Sequence, residues 1–246
     1  MNTHDDLEFE MRRAFLVRML TIGAFASMPL SWSNLAAADL FGKKPYRMPN
    51  NKSIFNLQGT VHVNGSTVGY DTLIKANDVI KTGPKSGIVF VVGKDAFIMR
   101  ADSELHLNGT EFILNQMRLV SGKILSVFGK RDPKERLALS STIATIGIRG
   151  TGVYMEADPE QTYLCTCYGK TMLSSIQDPS SEIIINAQRH DSPRYILAKG
   201  AKGERIKPAP MINHTDLELG LIEELVGRTP PFDVKDMNYG APRRSY

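Results

Sequence analysis

Short hydrophobic runs alternate with turn sequences along most of the chain, at intervals of about eight to twelve residues. The dipeptide Asn64-Gly65 separates two such runs, and it favours a tight hairpin because both positions tolerate positive φ. Similar turn sequences occur at Gly83-Pro84, Gly93-Lys94-Asp95 and Asn108-Gly109. The pattern predicts strands at 54–63, 66–70, 78–82, 87–92, 96–100, 104–107, 111–114, 118–128, 162–173, 182–187 and 194–197. Regular turns between β-branched runs indicate an all-β sandwich, barrel or roll.

The hydrophobic period changes only near the C-terminus. Thr215 and Glu218 have the spacing of a capping box, which marks the start of a helix. The apolar stripe that follows consists of Leu217, Leu221, Ile222, Leu225 and Val226, and Gly227 and Pro230-Pro231 come after it. This pattern predicts one amphipathic helix over residues 215–226, of about three turns.

Residues 140–156 form the most distinctive stretch, with two β-branched runs, 142–148 and 151–155, on either side of a glycine-bracketed arginine. Glycines at such positions allow a sharp bend or a close strand approach. Arg149 could contact an anion there, or it could brace the bend by bonding backbone carbonyls. The spacing of a phosphate-binding loop is lacking, so bracing is the preferred interpretation.

Four motifs follow one another in chain order: Val61-His62-Val63-Asn64-Gly65, residues 74–83, Leu119-Val120-Ser121-Gly122-Lys123, and residues 144–151, which end in Arg149-Gly150-Thr151. Together they resemble the FecR domain of bacterial envelope proteins. The resemblance covers residues 59–156. It implies an all-β domain with roll-like or solenoid-like stacking that binds proteins and performs no catalysis.

The best-known FecR proteins relay the state of an outer-membrane iron-dicitrate transporter to a sigma-factor regulator. Those members carry a cytoplasmic segment and a transmembrane helix before the β domain. Here the corresponding region has an export signal instead, so the anti-sigma role is not transferred to this chain.

That signal occupies residues 1–38. Arg12 and Arg13 precede a moderately apolar run, and Ala36-Ala37-Ala38 offers a cleavage site. The paired arginines resemble a twin-arginine signal, and the general secretory route is the alternative. An uncleaved anchor is less favoured because Arg18 interrupts the apolar run. We therefore predict a periplasmic protein that meets the membrane only through this signal.

The remaining chain divides into a linker at 39–51, a FecR-like β domain at 52–157, a further β-rich portion at 158–210 and a helix with its tail at 211–246. Composition agrees with a globular protein, since 42% of the residues are hydrophobic and 23% are charged. The net charge of +4 arises from 30 basic and 26 acidic residues without a concentrated basic stripe. Nucleic-acid binding is therefore not expected.

Cys165 and Cys167 are the only two cysteines. In a strand, residues two apart face the same side, with Cα atoms about 6.6 Å apart, near the upper limit for a disulfide. The pair could form a strained disulfide, remain two packed thiols, or hold a soft metal with His190 or His214 as a third ligand. The spacing is not that of a zinc knuckle or a thioredoxin site.

No catalytic motif is present in the sequence. His190, Asp191 and Ser192 are adjacent, so they cannot converge as a hydrolytic triad, and a local turn capped by Asp191 is the simpler interpretation. We therefore expect a non-enzymatic binding or signalling scaffold with an envelope protein partner and no cofactor. A metal- or redox-handling protein centred on the cysteines and a membrane-anchored sensor are the alternatives, and the oligomeric state stays open.

Overall fold

Antiparallel strands make up most of the structure, a computed structural model that describes residues 47–132 and 137–232. The strands are β1 (Ile54–Gln58), β2 (Val61–Val63), β3 (Ser66–Thr67), β4 (Val79–Thr82), β5 (Gly87–Val92), β6 (Asp95–Met99), β7 (Glu104–Thr110), β8 (Ile113–Val127), β9 (Leu137–Ser140), β10 (Ala144–Ala157), β11 (Gln161–Ser175), β12 (Glu182–Ala187), β13 (Arg194–Leu197) and β14 (Ile206–Pro208). Within these described ranges one helix, α1 (Asp216–Leu225), follows them. The prediction of a mainly β fold with a C-terminal helix is confirmed.

The predicted export signal, residues 1–38, lies outside the described residues, as does the linker before residue 47. Among the described helices, none has the length and apolarity needed to cross a bilayer.

The strands form one sheet that branches at its longest members. Its main path runs β14-β13-β11-β10-β9-β8-β7-β4-β2-β3, and β6, β5 and β1 extend from β8. Strand β10 pairs first with β9 and then with β8, and β11 pairs with β12 at one end and β13 at the other. The predicted division after residue 157 falls in the turn between β10 and β11, which pair along most of their lengths.

Two apolar layers lie on opposite faces of the central strands. On β5, Phe90 and Val92 point into the larger layer, whereas Val89 and Val91 point into the second layer. On β10, Val153 points into the larger layer and Tyr154 points into the second layer. Burial on both faces explains why β5 and β6 have almost continuous apolar sequences instead of alternating ones.

Helix α1 covers the second layer, and its start follows the predicted capping chemistry. The Thr215 hydroxyl accepts a hydrogen bond from the Glu218 N–H, and the Glu218 carboxylate accepts one from the Thr215 N–H. Leu219, Ile222 and Leu225 pack against the strands with aromatic and cysteine side chains. The predicted helix is thereby confirmed to within one residue at each end.

One of two predicted Asn-Gly turns forms in the structure, and the other does not. Asn64 and Gly65, with φ of 52° and 82°, form the expected hairpin between β2 and β3. Asn108-Gly109 is not a turn, because β7 continues through it with a register shift and the chain turns at Glu111 instead. A Cβ on Gly109 would lie 2.0 Å from the Ile113 carbonyl oxygen, so glycine serves close strand approach there.

The glycine-bracketed stretch is a bulge within β10, not a corner between two strands. Pairing with β11 shifts between Arg149 and Gly152, and Gly150 has a φ of 56°. This irregularity lies where β10 changes its partner from β9 to β8. The Arg149 side chain is exposed and makes no hydrogen bond to another described residue, so the predicted brace is not observed. Thr151 is buried beside it.

Docking of α1 predicts a strong stability effect at Leu221, which is only 9% exposed. Leu221→Asp should lower the free energy of unfolding by about 2–5 kcal/mol, because it removes a buried side chain and buries a charge. The Tm should fall by roughly 4–20 °C in a calorimetric scan, since each kcal/mol shifts the Tm of a chain of this size by about 2–4 °C. Leu73→Asp is the matched control, since Leu73 is 40% exposed, and equal losses in both variants would contradict the docking.

Candidate metal centre

Strand β11 places both cysteines in the layer beneath α1. Cys165 and Cys167 are two residues apart and therefore share a face, and neither is exposed to solvent. Thr166 points to the opposite side, where its hydroxyl bonds that of Thr171. Both cysteines are free thiols in the structure, so the disulfide alternative is not formed there.

His190 reaches the cysteines from the turn after β12. The Asp191 carboxylate caps this turn by accepting hydrogen bonds from the N–H groups of Gln188 and Arg189, as the turn interpretation expected. His190 has a φ of 53°, uncommon for a residue with a side chain, and its N–H donates to the Cys167 carbonyl. Together these bonds fold a fully buried imidazole over the cysteines.

His214 comes from the turn that precedes α1. Asn213 adopts a φ of 61°, and its carbonyl accepts a 2.7 Å hydrogen bond from Arg100, which also pairs with Glu218. The His214 ring stacks on Tyr154 with 4.5 Å between ring centroids. The helix cap and the Arg100 contacts therefore fix where this second histidine lies.

The four side chains converge on one point. One ligand atom from each of Cys165, Cys167, His190 and His214 lies within 4.8 Å of all the others. Cys165 Sγ is 3.4 Å from His190 Nδ1, and His214 Nε2 is 3.0 Å from the same nitrogen. A tetrahedral zinc ion with ordinary bond lengths would separate its ligand atoms by about 3.3–3.8 Å. The cluster therefore has nearly the dimensions of a Cys2His2 zinc site.

Hydrogen bonds outside the cluster determine which nitrogen of each histidine carries its proton. His190 Nε2 donates to Asp216 Oδ1 at 2.9 Å, and His214 Nδ1 donates to the Ile212 carbonyl at 2.6 Å. Neither acceptor has a proton to give, so the other nitrogen of each neutral ring presents a lone pair. These two lone pairs face each other across the cluster, and a proton or a metal cation is needed between them.

The pKa shifts of the cluster residues agree with a proton or a metal cation between the two rings. Burial opposes protonation of His190, but the Asp216 hydrogen bond and the neighbouring Cys165 outweigh it and raise its pKa to about 9. Burial also opposes ionisation of Cys165, yet hydrogen bonds from Cys167 and His190 lower the pKa of this thiol well below its ordinary value. Burial raises the pKa of Cys167. Without a metal, the cluster would thus hold a thiolate beside an imidazolium, and a divalent cation would replace the proton.

Asp216 supports the cluster from behind. Its carboxylate accepts hydrogen bonds from His190 and from the Arg189 guanidinium, at the first residue of α1. A carboxylate behind a ligating histidine is a recurrent arrangement in metal sites, because it orients the ring and makes it a better ligand.

The sequence identified part of this site. Cys165, Cys167 and His190 were predicted together, with His214 as an alternative to His190, and the structure brings all four into one cluster. Asp216 had no predicted role, although its place next to the helix cap was visible. The Arg149-Gly150-Thr151 motif lies on β10 and contributes no ligand.

Comparison with known proteins gives only distant likenesses. No protein-family model matches the chain, and no curated protein matches it. Two crystal structures, each provisionally described as an anti-sigma factor from Parabacteroides distasonis, align with TM-scores of 0.44 and 0.43 at 12% identity. Each alignment covers 53% of this chain and 58% of the other, so this chain spans less than two thirds of their length. Membership of the FecR family stays a prediction.

The carboxylate behind His190 gives a direct prediction. Asp216→Asn should weaken zinc binding by about 10–100-fold, because the amide orients and polarises the imidazole less well than a carboxylate. Competition titration against a chromophoric chelator measures the change. Asp71→Asn, in an exposed turn, is the control and should bind as the wild type does. Equal affinities for all three proteins would exclude a supporting role for Asp216.

Proposed function

We propose that this chain is an exported, non-catalytic protein-binding scaffold whose C-terminal segment is fixed on the sheet by a zinc ion. The metal proposal rests on one observation. His190 Nδ1 and His214 Nε2 each present a lone pair, and these two nitrogens lie 3.0 Å apart beside two buried thiols. A proton on His190 could bridge the two rings, whereas a metal ion would bind both nitrogens and both sulfur atoms at once.

The ligand set supports zinc in a structural role. Thiolate and imidazole ligands favour soft or borderline ions over magnesium and calcium. Four protein ligands complete a tetrahedral shell, whereas catalytic zinc sites keep one position open for water or substrate. All four residues are buried, which also argues against an exchanging substrate.

The position of the ligands indicates what the ion would stabilise. Cys165 and Cys167 belong to β11, His190 to the turn after β12, and His214 to the turn before α1. One ion would therefore join three segments that are far apart in sequence, and it would hold α1 over the second apolar layer. Because these ligands converge only in the folded chain, metal binding energy would add to folding stability.

The scaffold and export parts of the proposal rest on the sequence. The ordered FecR-like motifs favour a regulatory, protein-binding role, and the paired Arg12-Arg13 favours export after folding. Export in the folded state would let zinc bind while the thiols are reduced, and it would protect them from oxidation in the periplasm. This combination makes the metal and the proposed compartment compatible.

Metal analysis of the purified full chain tests the zinc centre. We expect about one zinc ion per chain, lost in both Cys165→Ser and His214→Ala and retained in His62→Ala, whose histidine lies outside the cluster. A chelator should lower the Tm of the wild type, because removing a ligand of the native state removes its stabilisation. Cobalt substitution should give the intense visible bands of a tetrahedral thiolate site.

Reduced wild-type protein that retains no zinc and binds neither zinc nor cobalt would contradict the metal proposal. Stoichiometric copper(I) bound by the same four residues would preserve the centre and favour the metal-handling alternative over a structural role.

Export is tested separately. If Arg12 and Arg13 direct twin-arginine transport, Arg12→Lys combined with Arg13→Lys should leave the protein in the cytoplasm, and the wild type should appear in the periplasm with an N-terminus near Asp39. Fractionation and mass spectrometry measure both. Normal export of the double variant in a strain without the twin-arginine translocase would contradict this route.

A further inference from the structure

Strand β12 has an open edge. It pairs with β11 on one side, and no described residue hydrogen-bonds the backbone of Glu182, Ile184 or Asn186 on the other. The Ser175 N–H donates to the Ser181 carbonyl, which sets the alternation along the ladder. Odd-numbered residues of β12 therefore bond β11, and the N–H and C=O groups of these three residues point outwards.

This edge lacks the usual protection against strand pairing. The ends of the main sheet path are short, since β3 has two residues and β14 has three and ends in Pro208. Strand β12 has six residues, Glu-Ile-Ile-Ile-Asn-Ala, without proline or lysine, and its register with β11 is regular. Natural proteins shorten, charge, bulge or cover such edges unless they are used.

An apolar row crosses the exposed face and ends at the same edge. The register aligns Ala138, Gly147, Met172 and Ile184 across β9, β10, β11 and β12. Met172 lies over Gly147, where a Cβ would contact it at 3.8 Å. Ile184 is 57% exposed and Met172 is 48% exposed, so the row ends in uncovered hydrophobic side chains.

A row of two basic residues and one asparagine lies beside the apolar one. Arg149, Lys170 and Asn186 are register partners, and all three side chains are exposed. A strand added at this edge should therefore present an apolar residue next to Ile184 and an acidic residue next to Asn186, two positions away.

The chain's own β12 has this sequence, with Glu182 two positions before Ile184. We infer that two copies of this chain pair antiparallel through β12, with a two-fold axis at Ile184. In that register Ile184 faces Ile184 of the second copy, and Glu182 faces Asn186. Lys170 lies one strand further, about 9.6 Å from Glu182 of the second copy in the strand-to-strand direction, a gap that two long side chains can span.

This pairing provides hydrogen-bond partners for the open edges of both copies. Every outward N–H and C=O of Glu182, Ile184 and Asn186 gains a partner, and the two apolar rows become continuous. No like charges face each other across the edge, so the pairing carries none of the repulsion that destabilises cross-strand pairs. The inference rests on β12 and the strands beside it, and it does not require the zinc centre.

Cysteine crosslinking tests the register in the full chain. Residues that exchange both backbone bonds have Cα atoms about 5.5 Å apart, within disulfide range. Ile184→Cys should therefore form a disulfide dimer under mild oxidation. Glu182→Cys should crosslink poorly with itself and efficiently when mixed with Asn186→Cys. Equal crosslinking of Glu182→Cys alone and in the mixture would contradict the proposed register.

Sedimentation velocity over a range of concentrations tests the dimer itself. The wild type should show a monomer–dimer equilibrium, and Ile184→Lys should remain monomeric at every concentration. Ile113→Lys is the matched control, because Ile113 is 54% exposed at the start of β8, and it should dimerise as the wild type does. A monomeric wild type, or loss of the dimer in the Ile113 variant alone, would overturn the inference.

Discussion

The structure depends on burial of an apolar layer between the central strands and α1, and the metal-ligand cluster lies within that layer. Alternation along β11 is the decisive constraint, because it turns Cys165 and Cys167 towards the helix and Thr166 away from it. Once the helix is docked, the turns on which His190 and His214 lie are held above the thiols by bonds to Cys167 and Arg100. The site therefore depends on tertiary packing more than on any local motif.

Because the cluster is buried, water cannot hydrogen-bond its polar atoms or solvate its charges. Two thiols and two imidazoles removed from water must satisfy their lone pairs and any charge within the protein. The outer hydrogen bonds to Asp216 and the Ile212 carbonyl leave each neutral ring with one unprotonated nitrogen, and these two nitrogens meet at the centre. A cation at this point would accept the lone pairs of both rings and would balance the negative charge of the thiolates.

Local sequence signals predicted the parts of the fold that depend on local chemistry. Strands β12 and β13 have the predicted bounds, and the capping box of α1 forms as expected. Strand β14 and the bulge at Asn108-Gly109 are two features that the sequence did not predict. Strand β14 is short and follows a charged loop, so it gives no periodic signal. Asn108-Gly109 looks like a hairpin turn, but close packing against Ile113 places it in a bulge.

The candidate site was only partly predictable for a related reason. Strand geometry was sufficient to place Cys165 and Cys167 on one face, but it could not show whether His190, His214 or both would reach them. Their meeting depends on α1 folding back over β11, which is a long-range event. Asp216 could be assigned a role only after that contact was known.

X-ray absorption at the zinc edge of the purified full chain tests the central claim most directly. The account predicts a four-coordinate ion with two sulfur ligands at about 2.3 Å and two imidazole nitrogens at about 2.0 Å. An ion surrounded only by oxygen and nitrogen, with no sulfur scattering, would contradict it, because it would place any bound zinc away from Cys165 and Cys167.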